Sequence, residues 1–413
     1  MTAGRPLPAT ENSSICRNHG SGRLEPVPRD RKRQVRAAPS EGMDYETPQF
    51  FRVMQYASRA DRDVVDMVSG NPDWEPPEPL REGLAEYARA DSAAFQYPPS
   101  VGLRALREEI ATRRGVDRRQ VLITNGAGEA NHLAMSVGFE RFPGSEILLV
   151  DPTYPYYAGR ASMLGAKVRY VPVGESGVPD PETVRERASA ETSVIVINTP
   201  NNPLGVTYDR ETVAALVEIA TDSNALLVSD EVYDHFDYSG QFASALSVDS
   251  ANRVVTNSFS KSLAITGWRV GYAIFPDRDG PTGELFERAR TRHMLTNVTG
   301  SRPAQAAVLH ALERTGPEYY ERARDRLRER IATFTDALDE VGATYTEPDG
   351  AFYVMARFPA FSGTFENVET LIDEAGVAGM PGEAFGESRA DWFRFALVSP
   401  RVEEAADRLA AFF

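Results

Sequence analysis

The sequence predicts an α/β protein: a large region with a mostly parallel sheet covered by helices, followed by a smaller α+β region. Three observations support this prediction. Short apolar runs such as VLIT (121–124) and SVIVIN (193–198) do not alternate with polar residues, which is typical of strands buried on both faces. Helix-like stretches separate these runs, as parallel strands require. A long charged helix at 317–342 then leads into a segment of different character.

Strands and helices alternate in the first region. The predicted strands are 121–124, 146–150, 167–173, 193–198, 225–230, 253–259 and 268–275. The predicted helices are 101–114, 127–139, 156–166 and 210–223. After the charged helix, the pattern predicts strands at 351–358 and 392–398 and helices at 366–375 and 401–412. In parallel sheets of this kind, ligands bind beyond the carboxyl ends of the strands.

The chain divides into four predicted parts. Residues 1–42 are rich in Arg, Pro, Ser and Gly and contain the basic run RDRKRQVR, so we expect a disordered tail or an artefactual extension before Met43. Residues 43–75 are predicted as an N-terminal arm that contributes to the small domain. The large domain is predicted at 76–300 and the small C-terminal domain at 301–413.

Composition excludes several classes of function. A formal net charge of −15 over 413 residues disfavours nucleic acid and anionic membranes as partners. No stretch approaches the roughly 18 apolar residues of a membrane helix. The single Cys16 cannot form an internal disulfide, so we expect a reducing, cytoplasmic location. The five histidines are scattered without metal-ligand spacing, and we predict no metal site.

Polar residues follow several strands of the predicted sheet. The turn NGAGEA (125–130) begins a helix, whose free N–H groups could bind an anion, although a plain tight turn is the simpler alternative. A dinucleotide-binding fingerprint is disfavoured because its third glycine is missing. NTPNNPLG (198–205) ends a later strand, where the amide of Asn202 either faces a ligand or serves the turn itself.

Asp230 ends the apolar strand ALLVSD, and Tyr233 follows three residues later. A buried carboxylate is costly unless it is paired. Asp230 could therefore be the N-cap of a following helix, or it could hold a cationic ring nitrogen.

Lys261 lies in TNSFSKSLAITGWRVGY (256–272) and is one of only three lysines among 45 basic residues. Arginine stays protonated, whereas lysine can lose its proton and form a Schiff base, so a lysine retained here indicates chemistry. In an extended chain Ser258 and Ser260 point to the same side, and with Arg269 they suit a phosphate. A phosphate, a ring with a basic nitrogen and an aldehyde together describe pyridoxal 5′-phosphate.

With these motifs, residues 66 to 400 resemble the fold type I, class I/II aminotransferases, in the aspartate-aminotransferase-like branch. The matching motifs are S-x-S-K-x5-G-x-R-x-G-Y (258–272), N-P-x-G (202–205), D-E-x-Y (230–233) and D-P-x-Y (151–154). The resemblance implies a seven-stranded sheet and lysine-bound pyridoxal phosphate. It also implies transfer of an amino group from an L-amino acid to a 2-oxo acid, in a homodimer with sites at the interface.

The resemblance also implies a role for individual residues. Three are catalytic: Lys261, which binds the cofactor aldehyde, Asp230, which pairs with the ring nitrogen, and Tyr233, which bonds the ring 3′-oxygen. The other implied cofactor contacts are Asn202 at the 3′-oxygen, Tyr154 stacked on the ring, Tyr97 at the partner subunit's phosphate, and Gly126, Ala127, Gly128, Ser258, Ser260 and Arg269 at the phosphate. The implied substrate contacts are Gly70, Tyr154, Asn202 and Arg394, the last of which binds the α-carboxylate.

Two departures from the family pattern leave questions open. The phosphate turn usually offers a hydroxyl, but here it has Ala127 and Gly128. Neither Arg292 nor Arg302 can be assigned to a second substrate carboxylate, so aspartate as a substrate stays open.

Other functions also stay open. A pyridoxal-phosphate-dependent lyase (β-elimination) or decarboxylase on the same scaffold is the nearest alternative. A non-catalytic regulator and a nicotinamide dehydrogenase are more distant, because the chain offers no DNA-binding segment and the dinucleotide fingerprint is broken.

Overall fold

The computed structural model describes residues 48–276 and 283–413, so the predicted tail 1–42 and the start of the predicted arm lie outside it. The strands are β1 (Val65–Asp66), β2 (Val121–Thr124), β3 (Glu146–Asp151), β4 (Lys167–Pro172), β5 (Thr192–Asn198), β6 (Leu226–Asp230), β7 (Arg253–Ser258), β8 (Gly271–Ile274), β9 (Thr344–Tyr345), β10 (Tyr353–Arg357), β11 (Val377–Ala378), β12 (Met380–Pro381) and β13 (Phe393–Ala396). The α-helices are α1 (Gln49–Ala57), α2 (Glu78–Tyr87), α3 (Arg104–Arg114), α4 (Gly126–Arg141), α5 (Tyr156–Met163), α6 (Pro181–Arg187), α7 (Arg210–Asp222), α8 (Phe259–Ser262), α9 (Gly283–Asn297), α10 (Arg302–Arg314), α11 (Pro317–Glu340), α12 (Phe365–Thr370) and α13 (Val402–Phe412).

Seven strands form one large sheet in the order β2-β8-β7-β6-β5-β3-β4. Only β8 runs antiparallel to its neighbours, so the predicted mostly parallel sheet is confirmed. The register places Asn198 opposite Asp230, and Asp230 opposite Thr256. The polar ends of β5, β6 and β7 therefore lie side by side at one edge.

Both faces of the sheet are buried except at its edge strand β4, which is largely exposed, and this burial explains the unbroken apolar runs of strands such as β2, β5 and β6. Leu148 and Ile195 pack into one hydrophobic cluster. Their chain neighbours Leu149 and Val196 pack into a second cluster together with residues of α4. Because successive strand residues point to opposite faces, each face needs its own apolar set.

The antiparallel β8 brings two turns together. Gly271 at its start pairs with both Thr124 and Ser258, which end β2 and β7. A Cβ on Gly271 would lie 2.6 Å from the Gly126 carbonyl carbon, so only glycine fits between them. The residues just before β8 consequently lie beside the first turn of α4.

A second sheet has the order β12-β13-β10-β9 and is antiparallel. Arg394 lies on β13, between Met355 and Met380 of the neighbouring strands. The short strands β1 and β11 pair in parallel as a separate two-stranded sheet. The domain bounds 43–75, 76–300 and 301–413 stay predictions. No helix of the described residues combines the length and apolarity needed to cross a bilayer.

The structure corrects the predicted extended chain around Lys261. Ser258 ends β7 and caps α8, accepting a hydrogen bond from the Ser260 amide at 3.4 Å. Ser258 and Ser260 are therefore brought together by a helical turn and not by strand alternation. The strand predicted at 268–275 begins only at Gly271, because Arg269 has a left-handed backbone with φ of 58°. The sequence patterns also missed six α-helices: α1, α2, α6, α8, α9 and α10.

Candidate active site

The loop at residues 68–70 joins two cationic side chains. The Nζ of Lys261 donates to the Gly70 carbonyl, and Arg394 Nη2 donates to the Val68 carbonyl. A side chain at Gly70 would collide with the Tyr353 hydroxyl, so glycine lets this loop approach β10 closely. The predicted substrate residues Gly70 and Arg394 thus meet the predicted catalytic lysine.

Arg394 is only 5% exposed, yet all its hydrogen-bond acceptors are neutral oxygens. Nη1 lies 3.4 Å from the Asn202 side-chain oxygen, and the guanidinium carbon lies 4.6 Å from the centre of the Tyr353 ring. Its buried Nε has no partner. A buried guanidinium with an unmet donor, and with no ion pair to any described residue, is suited to bind a carboxylate.

Asp230 is 3% exposed and accepts hydrogen bonds only from neutral donors. Its Oδ2 accepts hydrogen bonds from Asn131 at 2.6 Å and Tyr157 at 2.7 Å. Asn131 is oriented in turn by Thr256, whose hydroxyl donates to its side-chain oxygen at 2.6 Å. Within the described residues Asp230 forms no ion pair, and burial raises its pKa against the opposing hydrogen bonds. No helix follows it, so the N-cap alternative is wrong.

Aromatic side chains line the space around these groups. The hydroxyls of Tyr233 and Tyr353 lie 3.0 Å apart. Tyr154 meets Tyr157 edge-on, with ring centres 5.5 Å apart. Tyr157 is the donor to Asp230, so Tyr154 lies one ring away from that carboxylate. Ala127 packs against the cluster that contains Tyr233.

The first turn of α4 presents free amides of the kind that can bind an anion. The amides of Gly126, Ala127 and Gly128 are first-turn donors without an intrahelical acceptor, and no side chain caps them. Arg269 lies where a Gly126 side chain would be, and its Nη1 is 3.4 Å from the Ser260 hydroxyl. The structure therefore brings together the residues predicted to hold a phosphate.

The surroundings of Lys261 favour loss of its proton. Burial, followed by the positive charges of Arg394 and Arg269, lowers the pKa of Lys261 to about 8. Asp230 opposes this shift because its negative charge favours the protonated amine. At neutral pH an appreciable fraction of this lysine is therefore uncharged and nucleophilic.

Tyr97 is the one predicted site residue that the single chain does not bring to this group. It is 80% exposed and lines an open cavity of about 700 Å³ with Arg302 and Phe95. No contact among the described residues joins it to Lys261 or Asp230. The unassigned Arg302 donates to the carbonyls of Ala93 and Gln96, and the unassigned Arg292 pairs with Glu140.

The sequence patterns missed four side chains beside these groups: Asn131, Tyr157 and Tyr353, and also Arg160, whose Nη2 lies 3.0 Å from where a Cβ on Gly128 would be. Asn131 had a signal, because a polar residue on the otherwise buried face of α4 needs a partner. Tyr157 and Arg160 lie on α5, directly after the predicted D-P-x-Y motif. Tyr353 gave no signal, since an aromatic residue in a strand is ordinary.

The sequence of this chain matches a family of known proteins. The family model described as "Aminotransferase class I and II" matches residues 62–410. The chain belongs to this family. This aminotransferase is 32% identical over 360 residues to an aspartate aminotransferase of Thermotoga maritima, covering 85% of this chain and 91% of the relative. It is also 32% identical over 362 residues to a probable N-succinyldiaminopimelate aminotransferase of Mycobacterium tuberculosis, covering 84% of this chain and 88% of that protein.

Solved structures give the same result. The double mutant of Thermus thermophilus aspartate aminotransferase matches with a TM-score of 0.83 and 28% identity, covering 90% of this chain and 98% of the other. The predictions of fold type I, of a transaminase and of pyridoxal 5′-phosphate as cofactor are confirmed. The enzyme moves an amino group from an amino acid to a 2-oxo acid through lysine-bound pyridoxal phosphate.

Proposed function

We propose that Lys261 is the lysine of this transaminase and that Arg394 binds the α-carboxylate of its substrates. The observation that carries the proposal is the loop at 68–70, which holds the Lys261 amine and the Arg394 guanidinium through two carbonyls. Because both groups contact the same short loop, an amino acid whose carboxylate Arg394 binds would bring its Cα, one bond from that carboxylate, close to the Lys261 amine.

The described residues fit pyridoxal phosphate. Asp230 is a buried carboxylate without a cation, which suits a protonated ring nitrogen. The first turn of α4, Arg269, Ser258 and Ser260 would hold the phosphate. Asn202 and Tyr233 would donate to the ring 3′-oxygen, and Tyr154 would cover one face of the ring.

Each side chain then has a defined task. Bound pyridoxal phosphate supplies a ring that accepts electrons from the substrate Cα. Asp230 favours a proton on the ring nitrogen by Coulomb attraction across a site with little water. With its amine free, Lys261 would take the proton from the substrate Cα on Nζ and, as general acid, deliver it to the cofactor carbon. Its lowered pKa makes both directions accessible near neutral pH.

The test is the visible absorbance of the purified protein before and after a panel of L-amino acids. We expect a band of lysine-bound cofactor that bleaches with the true donors and returns with 2-oxo acids. The Lys261→Ala variant should fold and show neither the band nor turnover. Near-wild-type transamination in that variant would refute the assignment. If the wild-type enzyme instead released pyruvate with ammonia, it would be a lyase, and if it released carbon dioxide, it would be a decarboxylase.

We also propose that the enzyme is a cytoplasmic homodimer in which Tyr97 completes the partner's site. Tyr97 and Phe95 are 80% and 61% exposed beside the open cavity, and such exposed aromatic side chains support the proposal that a partner subunit covers this surface. A mixture of Lys261→Ala and Tyr97→Ala chains tests this, because a hybrid dimer would contain one intact site. Recovery of tight cofactor binding in the mixture is expected; no recovery, with hybrids present by mass, would place Tyr97 elsewhere.

A further inference from the structure

Arg160 is a cation that the family motifs do not explain. It lies on α5, and its Nη1 donates to the Tyr156 carbonyl of the same helix at 3.1 Å. No ion pair of the described residues includes it, whereas other arginines of this acidic chain, such as Arg292 and Arg330, pair with carboxylates. Its guanidinium carbon lies 5.9 Å from the centre of the Tyr156 ring. Burial raises the pKa of Asp230 and the positive charge of Arg160 opposes that rise, but no carboxylate of the described residues forms an ion pair with Arg160.

The guanidinium of Arg160 reaches the free amides in the first turn of α4. A Cβ added to Gly128 would lie 3.0 Å from Arg160 Nη2. On the other side of the same turn, Arg269 occupies the space beside Gly126. Two guanidiniums therefore flank three free amides. The guanidinium of Arg269 fills the space of a side chain at Gly126, and that of Arg160 borders the space of a side chain at Gly128. The charge of Arg160 also lowers the pKa of His132, after the larger effect of burial.

The first turn of α4 and Arg269 leave part of the charge of a phosphate dianion unpaired. Ala127 and Gly128 provide no hydroxyl, and Arg269 provides one positive charge against nearly two negative ones. Arg160 would add a second charge and a donor in the planar geometry that matches phosphate. We propose that Arg160 binds the cofactor phosphate and replaces the side chain that is missing at Gly128. This rests on the proposed placement of the phosphate at residues 126–128.

The second carboxylate of a dicarboxylic substrate is the competing anion. The position of Arg160 favours the phosphate, because it lies against the amide turn at Gly128. The proposed α-carboxylate residue Arg394 contacts a different set of groups, among them Val68, Asn202 and Tyr353. No contact of the described residues joins Arg160 to that set.

The experiment compares Arg160→Gln with wild type and with Arg141→Gln, which removes an exposed charge at the other end of α4. Cofactor-free protein is titrated with pyridoxal 5′-phosphate and, separately, with pyridoxal, which has no phosphate. We expect Arg160→Gln to raise the Kd for pyridoxal phosphate about 10- to 100-fold, the usual effect of losing a charged hydrogen bond. Pyridoxal binding and the Arg141→Gln protein should be unchanged.

A rescue variant separates a phosphate contact from a structural role. The double variant Gly128→Ser with Arg160→Gln places a hydroxyl at the same helix position, where the backbone is helical and tolerates a side chain. We expect it to regain part of the lost affinity for pyridoxal phosphate. A misfolded protein would not recover in this way, and its circular dichroism would differ from wild type.

An unchanged Kd for pyridoxal phosphate in Arg160→Gln would overturn the inference. If that variant also bound succinate more weakly, but not a monocarboxylate, Arg160 would be assigned to the substrate side chain. If wild type itself fails to bind pyridoxal phosphate covalently, the proposed function fails instead, so the two failures are distinguishable.

Discussion

Asp230 and Glu231 are consecutive, buried carboxylates with opposite surroundings. Asp230 contacts Asn131 of α4 and Tyr157 of α5, all through neutral donors. Glu231 lies on the opposite side of the sheet, where Arg114 at the end of α3 pairs with it and Ser244 and the Ala245 amide also donate. Glu231 therefore forms an ion pair with Arg114, whereas Asp230 forms none with the described residues.

The Glu231 side is a closed structural network. Arg114 also pairs with Asp234 at 2.8 Å, and Asn257 donates to Asp234 at 2.9 Å. The side-chain oxygen of Asn257 accepts from the Ser258 amide at 2.6 Å. This network ties the turn after β6 to the turn after β7. A buried charge that the protein itself satisfies indicates a structural role, whereas an unsatisfied one at a strand end indicates a ligand.

The largest expected effect is that of Asp230→Asn on turnover. We expect kcat to fall at least about 100-fold, because losing one preorganised charged partner of the reacting group typically costs about 3 kcal/mol. The unfolding temperature of the cofactor-free protein should not fall, since the substitution removes an uncompensated buried charge. Steady-state kinetics and thermal unfolding of the same preparation check both statements. Unchanged turnover would remove Asp230 from the site.

Glu231→Gln should give the reverse result, so each variant is the control for the other. Removing this charge leaves Arg114 with one of its two carboxylates, and breaking a buried ion pair typically costs about 3 kcal/mol or more. We expect a clearly lower unfolding temperature, with kcat within a few-fold of wild type well below that temperature. A loss of turnover as large as that of Asp230→Asn, in folded protein, would erase the distinction between the two carboxylates.

The sequence could not distinguish these neighbours. Its apolar runs predicted the strands of the large sheet, because burial on both faces leaves a local signal. It assigned Asp230 through the resemblance, but Glu231 depends on Arg114, which is 117 positions earlier in the chain. Likewise, the contact of Arg160 with the turn at Gly128 depends on how α5 packs against α4. Contacts between distant residues follow from tertiary packing, which periodicity does not encode.

Arg114 and Arg394 differ in the same way as the two carboxylates: Arg114 pairs with Glu231 and Asp234, whereas Arg394 contacts only neutral oxygens. Arg394→Lys keeps a positive charge but loses the planar pair of donors, so we expect KM for the amino acid to rise about 10- to 100-fold. The absorbance band of the bound cofactor should persist, because Arg394 is placed at the substrate. An unchanged KM would show that another residue binds the carboxylate.

The smallest expected effect is a shift in the proton affinity of Lys261. In cofactor-free wild type, its reaction with a neutral acylating reagent should rise with pH around a midpoint near 8, because the amine reacts only after losing its proton. Asp230 raises this pKa, so Asp230→Asn should move the midpoint to lower pH, whereas Glu231→Gln, whose charge is paired with Arg114, should not. Only Lys32, Lys167 and Lys261 occur in the chain, so peptide mass spectrometry can follow each separately, with exposed Lys167 as the internal reference. Equal midpoints in all three proteins would mean that the charge of Asp230 does not reach the Lys261 amine.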